Sequence, residues 1–223
     1  MTGADLTHVD TWLFDLDNTL YPLDSGIAAQ MDEKITDYMA SLTGLDRVEA
    51  RALQKQYLAD YGTTLNGLLL HHQIDPPHYH AFVHDLLLDA IAPSADLRAA
   101  VERLPGRRLI FTNADDRHAL RVLEHLDLAD LFDEVFHIGS AGYVAKPQRA
   151  AYDAIVAAHA VTPQTTAFFE DSERNLEPAA LMGMTTVLIG AHAAGSTAPF
   201  VHHRAEHLAP FLAAARLKDH RPL

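Results

Sequence analysis

Trp12-Leu13-Phe14-Asp15-Leu16-Asp17-Asn18-Thr19-Leu20 decides how the rest of this chain is read. Three apolar residues give way at once to two carboxylates spaced one residue apart. A short apolar run bounded by polar turn residues reads as a buried strand. Alternate side chains on a strand share a face, so Asp15 and Asp17 point the same way if the strand continues. Two anions that close repel strongly unless a cation or a shared proton offsets them. A divalent metal is the usual solution, and Mg²⁺ favours carboxylate and phosphate oxygens. An Asp carboxylate can also accept a phosphoryl group as an aspartyl-phosphate. Against these stands a plainer reading, in which the Asp and Asn residues cap the next helix.

Three further segments bear on that choice. Leu109-Ile110-Phe111-Thr112-Asn113 is a second apolar run ending in small polar residues. Lys146-Pro147 opens a helix-like segment, and Thr166-Ala167-Phe168-Phe169-Glu170-Asp171-Ser172 is a third apolar run, ending in two more acids. Together, from about Trp12 to Gly190, these resemble the four ordered motifs of the haloacid dehalogenase-like phosphatases: Asp-x-Asp-x-Thr, a Thr or Ser, a Lys and an acidic pair. The longer contexts, Asp15-Leu16-Asp17-Asn18-Thr19-Leu20-Tyr21-Pro22 and Phe168-Phe169-Glu170-Asp171-Ser172 with Asn175, resemble the pyrimidine 5′-nucleotidase branch of that family.

Composition bounds the function classes. With 223 residues, 48% hydrophobic and 21% charged, the chain can bury a sizeable core and reads as an ordinary globular protein. No apolar run approaches the roughly 20 residues that span a membrane, and Met1-Thr2-Gly3-Ala4-Asp5 shows no signal-peptide pattern. The cytoplasm is therefore the expected compartment, with no membrane partner. Zero cysteines exclude disulfides and a cysteine nucleophile. A net charge of −13 argues against a nucleic-acid partner, but a local cluster of Lys, backbone N–H and metal can still bind one phosphate ester. The 15 histidines crowd at His71-His72, His78, His80 and His84 and pair at His202-His203. None has His-Glu-x-x-His spacing or a Cys partner, so a solvated or packing role is expected rather than zinc.

Apolar runs alternate with helix-period segments, the pattern of a parallel α/β sheet. Strands are expected at 11–14, 109–112, 134–138, 166–169 and 186–189, with a short sixth near 205–208. Helical stripes run through Leu120, Leu123 and Leu126, through Tyr152, Ile155, Val156 and His159, and through Leu176, Ala179 and Ala180, the last ended by Gly183. The stretch between the first two strands is far longer than one crossover helix needs. Ile27, Met31, Ile35, Met39 and Leu42 share a helical face; Leu53, Tyr57 and Tyr61 follow after Gly44; Leu65, Leu68 and Leu69 follow after Gly62. Pro76-Pro77 is expected to break the chain before a fourth helix at 79–88. The expected fold is a Rossmann-like α/β core from residues 1–23 and 93–223, with 24–92 inserted as a small helical bundle. The tail, 218–223, reads as frayed.

The resemblance implies roles. Asp15 is the nucleophile and Asp17 the acid that protonates the leaving oxygen, then the base that activates water. Mg²⁺ is the implied cofactor, with Asp15, Asp17 (through its backbone carbonyl) and Asp171 at the metal and Glu170 nearby. Thr112, Lys146 and backbone N–H groups around Leu16, Asn113 and Ala114 bind the phosphoryl oxygens. Thr19, Ser172 and Asn175 hold loop geometry. Asn18 and Tyr21-Pro22 fall where the family has a flexible segment coupled to a C1-type helical cap that closes over the site. Tyr21 either contacts the substrate base or packs the hinge. The polar turn Tyr61-Gly62-Thr63-Thr64 with Asn66 is the candidate for base recognition. The implied substrate is a small phosphate monoester, UMP or CMP first. Phosphoglycolate or a sugar phosphate, a phosphomutase reaction and a non-catalytic phosphate-binding role are the alternatives. A dehalogenase is disfavoured by the second acid, Asp17.

Overall fold

A computed structural model of the chain describes residues 3–218. The expectation for 218–223 lies, from residue 219 on, outside the described residues. Strand β1 (Thr11–Phe14) is four consecutive buried residues, so it needs apolar cover on both faces, as parallel-sheet strands do. After it the chain divides into two compact units, Met1–Leu23 with Ile91–Leu223, and Asp24–Ala90.

The smaller unit is helical: α1 (Ile27–Thr43), α2 (Arg47–Tyr61), α3 (Thr64–His71) and α4 (Pro76–Val83). Helix α1 packs on α2 and α4, and α2 packs on α3. Asp46 starts α2 with a reciprocal capping box to Glu49. Gly67 allows the close approach of α3 to α2, since a Cβ there would fall 2.4 Å from the Tyr57 ring. A buried polar link, Thr36 Oγ1 donating to Gln54 Oε1 at 2.6 Å, joins α1 to α2. The histidines pack here: His72 Nε2 lies 3.0 Å from the Tyr57 hydroxyl, and the His71 ring stacks on Tyr57. Two expectations change. Pro76 and Pro77 open α4 rather than interrupting the chain before it, because the first turn of a helix has no use for their missing N–H; the helix then ends at Val83, short of 88. Leu42 and Leu69 are exposed although they match the helical stripes.

In the larger unit, α5 (Ala95–Glu102) begins at Ser94, whose side chain accepts from Leu97 N–H. A tight turn follows. Gly106 has φ +83°, and a Cβ there would fall 2.0 Å from Asp10 O, so no other residue fits as the chain returns beside β1. Next come β2 (Arg107–Phe111), α6 (Asp116–His125), β3 (Glu134–Phe136), α7 (Arg149–His159), β4 (Thr166–Glu170), α8 (Glu173–Leu181), β5 (Thr185–Ile189), β6 (His203–Ala205) and α9 (Leu208–Ala214). All sheet pairings are parallel, and Leu13 of β1 lies opposite Leu109 on one side and Phe168 on the other. The strand order is β3-β2-β1-β4-β5-β6. The chain winds outward one way from β1 to β3 and the other way from β4 to β6. Ligands of such sheets bind beside the carboxyl ends of the strands where the winding reverses, here β1 and β4.

One face of the sheet is closed by a core that includes Leu13, Leu109, Phe111, Phe168, Tyr152, Ile155 and Leu176. On the other, Phe14 stacks on Phe169 with ring centroids 4.7 Å apart. Strand β2 starts two residues before 109, because the flanking Arg107 reaches out to His159 O while its backbone stays in the ladder. Strand β3 stops at Phe136, since Ile138 N–H turns to Ala114 O instead. Strand β6 lies earlier than 205–208; it carries His203 and Arg204, whose polar side chains mask it. Helix α6 buries His118, Ala119, Val122 and Leu123 and leaves Leu120 exposed, so its inner face is turned from the expected leucine stripe. Among the described residues no helix is long and apolar enough to cross a membrane.

Candidate active site

The carboxyl ends of β1, β2 and β4 converge on Lys146. This lysine is only 1% exposed, and its Nζ donates to Asp15 Oδ1 at 2.7 Å, Phe111 O at 2.7 Å and Glu170 Oε2 at 2.8 Å. An ammonium has three protons, so all are placed on protein acceptors. Its position is fixed from behind by Asn113, whose Oδ1 accepts from Lys146 N–H at 2.8 Å and whose Nδ2 donates to Lys146 O at 3.1 Å. Burial alone would strip the lysine of its proton, but the Asp15 and Glu170 carboxylates hold its affinity above the ordinary lysine range.

Asp15 is the first residue after β1 and is 7% exposed. Its N–H donates to Phe169 O, and its second oxygen, Oδ2, accepts from Thr19 Oγ1 at 3.3 Å. The chain then turns: Thr19 and Leu20 N–H groups donate to the carbonyl of buried Leu16, and Asn18 takes φ 65°. That turn lifts Asp17 to a partly exposed position. Asp17 Oδ1 accepts from the Tyr21 hydroxyl and lies 2.8 Å from His118 Nε2. Burial first, and the Asp17 charge second, push the Tyr21 phenol far above its usual range, so it remains a donor.

Glu170 ends β4, with Oε1 accepting from Ser172 N–H at 3.1 Å. Asp171 follows, and its backbone carbonyl is 2.7 Å from His192 Nε2. Ligand oxygens of Asp15, Glu170 and Asp171 lie within 4.8 Å of one another. Burial, then the Glu170 charge, pushes Asp15 up to about 7. Burial pushes Glu170 up to about 7 even with the Lys146 ammonium beside it. Burial, then the Asp15 charge, pushes Asp171 up to about 6. Three carboxylates face one ammonium, so the cluster carries two negative charges in excess when all are ionised. A divalent cation with an all-oxygen preference offsets that excess. The oxygens not already turned to Lys146 belong to Asp15 Oδ2, Asp171 and the Ser172-bound side of Glu170.

Thr112 follows β2 and is 2% exposed; its Oγ1 accepts from Ala114 N–H at 3.0 Å, which leaves the hydroxyl proton to donate. Asn175 is buried in the first turn of α8, and its carbonyl accepts from Tyr152 at 2.5 Å. Thr64 and Asn66 belong to the helical unit. Thr64 Oγ1 donates to Gln54 O at 3.3 Å, and Asn66 Nδ2 donates to Tyr61 O at 3.0 Å. Two side chains escaped the sequence reading: His118, which touches Asp17, and His192, which holds the Asp171 carbonyl. A histidine on the inner face of the helix after the second motif was the available signal for the first. Nothing in local sequence marks the second.

A family model described as haloacid dehalogenase-like hydrolase matches residues 9–183. Phosphate metabolism protein 8 of Saccharomyces cerevisiae is 28% identical over 193 residues, covering 79% of this chain and 60% of that protein. The chain thus spans about three fifths of the length of this curated relative. A phosphatase of the same superfamily from Thermococcus onnurineus superposes with TM-score 0.61 at 18% identity, over 89% of this chain and 94% of that one. An L-2-haloacid dehalogenase from Xanthobacter autotrophicus, with chloropropionic acid covalently bound, superposes with TM-score 0.56 at 18% identity, over 92% and 97%. Both structures share the fold.

Proposed function

The chain belongs to the haloacid dehalogenase-like hydrolases, and we propose that within them it is a Mg²⁺-dependent phosphatase acting on pyrimidine nucleoside 5′-monophosphates. One observation carries the phosphatase reading: the two acids two residues apart have different surroundings. Asp15 is buried against Lys146, while Asp17 is partly exposed and held by Tyr21 and His118. A halide leaves as a stable anion and needs no proton, whereas an alkoxide leaving from phosphorus does. A second acid held beside the nucleophile suits the second reaction.

Lys146 holds the Asp15 carboxylate in place, and its ammonium favours the charged form against the burial that opposes it. The Asp15 oxygen bonds to phosphorus as the ester P–O bond breaks, and Asp17 gives its proton to the departing alkoxide. The alcohol leaves, and Asp15 carries the phosphoryl group. Asp17, now a carboxylate, takes a proton from water as that water attacks phosphorus. Phosphate departs, Asp15 is regenerated and Asp17 is again protonated. The Thr112 hydroxyl donates to a phosphoryl oxygen throughout. Asp15, Asp171 and the Asp17 carbonyl would hold Mg²⁺, which would supply the remaining positive charge at those oxygens.

The pyrimidine reading is supported by the extended motifs Asp15–Pro22 and Phe168–Asn175. The core motifs address a phosphoryl group common to every ester, so choice among leaving groups is assigned to Tyr21 and to the helical unit, Thr64 and Asn66 included. The test is a phosphate-release screen across nucleotides, phosphoglycolate and sugar phosphates, with Mg²⁺ and with chelator. UMP or CMP should exceed AMP and GMP in kcat/KM by at least about tenfold, roughly 1.4 kcal/mol. Asp15→Asn should abolish turnover. Equal rates on purines, or a preference for phosphoglycolate, would remove the nucleotidase reading and leave the phosphatase. Full activity in chelator, or in Asp15→Asn, would remove both.

A further inference from the structure

We propose that His118 is a positioning residue that aims the Asp17 carboxyl group at the leaving oxygen. The inference rests on the phosphatase reading and deepens it. His118 sits in the first turn of α6, on a face otherwise lined by Ala119, Val122 and Leu123. Its side chain is fully buried, whereas that of Asp17 is 20% exposed. A buried imidazole costs stability unless its nitrogens find partners, and Nε2 finds Asp17 Oδ1 at 2.8 Å. The backbone under it is fixed by the same bond that starts the helix: Asp115 Oδ1 accepts from His118 N–H at 3.1 Å. That helix is joined to β2 through Thr112 and Ala114, which are themselves bonded. One short segment therefore presents both the phosphate-side hydroxyl and the histidine.

The Tyr21 hydroxyl donates to the same Oδ1. A carboxyl oxygen offers two lone-pair directions, and with Tyr21 on one and the His118 Nε2–H tautomer on the other, both are used. Two donors from separate segments, residue 21 and residue 118, fix the carboxyl plane more tightly than either could. A proton donor must lie within hydrogen-bond reach of the leaving oxygen as the bond breaks, and small misplacements of such groups cost large factors in rate.

A histidine that only filled the core would affect all substrates alike. One that aims the acid matters most where protonation matters most. The experiment measures kcat/KM with Mg²⁺ for an alkyl phosphate and a series of aryl phosphates of increasing phenol acidity. The proteins are wild type, His118→Ala, His118→Gln, Tyr21→Phe and Asp17→Asn, each with a thermal melt. His118→Ala should lose about 10–100-fold on the alkyl ester and less than about threefold on the most acidic phenol. His118→Gln, whose amide N–H reaches towards the Nε2 position, should recover part of the loss, and Tyr21→Phe should show the same leaving-group trend. In the Asp17→Asn background, His118→Ala should add less than about twofold, because the group it aims is gone. Equal loss across leaving groups, or full additivity with Asp17→Asn, overturns the proposal. If His118→Ala melts below the assay temperature, His118→Gln decides on the same criterion. Failure of the underlying reading looks different: wild type would hydrolyse no phosphate ester, or Asp17→Asn would itself show no leaving-group trend.

Discussion

Lys146 and Arg47 each hold two carboxylates, and they do so under opposite conditions. Lys146 meets Asp15 and Glu170 where all three side chains are nine-tenths buried or more. Arg47 meets Glu33 and Asp37 on the surface of the helical unit, where each partner is about half exposed, and the same ladder continues through Arg51, Lys55 and Asp32. Surface pairs of this kind contribute about 0–1 kcal/mol, since water already solvates both charges. Buried ones lose several kcal/mol of hydration per ion, and their attraction repays it only in part. A count of ion pairs would thus rank the helical unit first in electrostatic stability, which is the wrong inference. The buried cluster is a cost that chemistry requires, and the surface ladder is largely solubility and register.

The widest gap between the two regions should appear on removing the cations. Lys146→Met keeps much of the side-chain volume but leaves Asp15 and Glu170 buried without their ammonium. It should destabilise by about 3–5 kcal/mol at neutral pH in metal-free buffer, read from denaturant midpoints. A loss under about 1 kcal/mol, the range of a surface pair, would mean that the two regions do not differ in kind. Next in size is a pH effect confined to the buried cluster. Folding raises the proton affinities of Asp15, Glu170 and Asp171 from ordinary values near 4 to about 7, 7 and 6. Between those limits the folded chain binds more protons than the unfolded one, so this contribution is complete below about pH 4 and is lost as pH rises through about 7. Mg²⁺ binding to the folded form would offset the loss. The rise in Tm on adding Mg²⁺ should therefore be several degrees at about pH 7.5, at roughly 2–4 °C per kcal/mol, and clearly smaller at about pH 5. An increment that does not grow with pH counts against the charge excess assigned to the cluster. The smallest effect is expected at the surface: Arg47→Ala should change stability by less than about 1 kcal/mol and lose even that in high salt.

How far each region could be read in advance follows the same division. The sheet was legible because buried parallel strands are written as short apolar runs, and Trp12-Leu13-Phe14 and Ala167-Phe168-Phe169 have no other economical reading. Strand ends were less so: Arg107 and Arg204 sit in strands while their side chains reach out to carbonyls. The stripe through Leu120, Leu123 and Leu126 put α6 in register with its leucines, yet its inner face is set by Ala119, Val122 and His118. A histidine pointing inwards is not an apolar letter, so periodicity passed over it. The cluster of Asp15, Lys146, Glu170 and Asp171 could be drawn up from strand ends, but not the division of Lys146 among three acceptors, which depends on side-chain reach. The prolines of α4 show a further limit. The same pair reads as a break or as a first turn, and only the helix-forming residues from 78 to 83 decide between them.

The register of β1 also has a consequence for how the chain is made. Leu13 needs both Leu109 and Phe168 as neighbours, and Asp15 meets its lysine across 131 residues of sequence. During synthesis from the N-terminus, the strand that leads into Asp15 is finished long before either flank or the counter-charge exists. The helical unit, Asp24–Ala90, is contiguous in sequence and can form while β1 waits. An apolar strand that waits unpaired is exposed to aggregation during folding. The two acids beside it, fully hydrated until the sheet closes, then act as gatekeepers for the nascent chain.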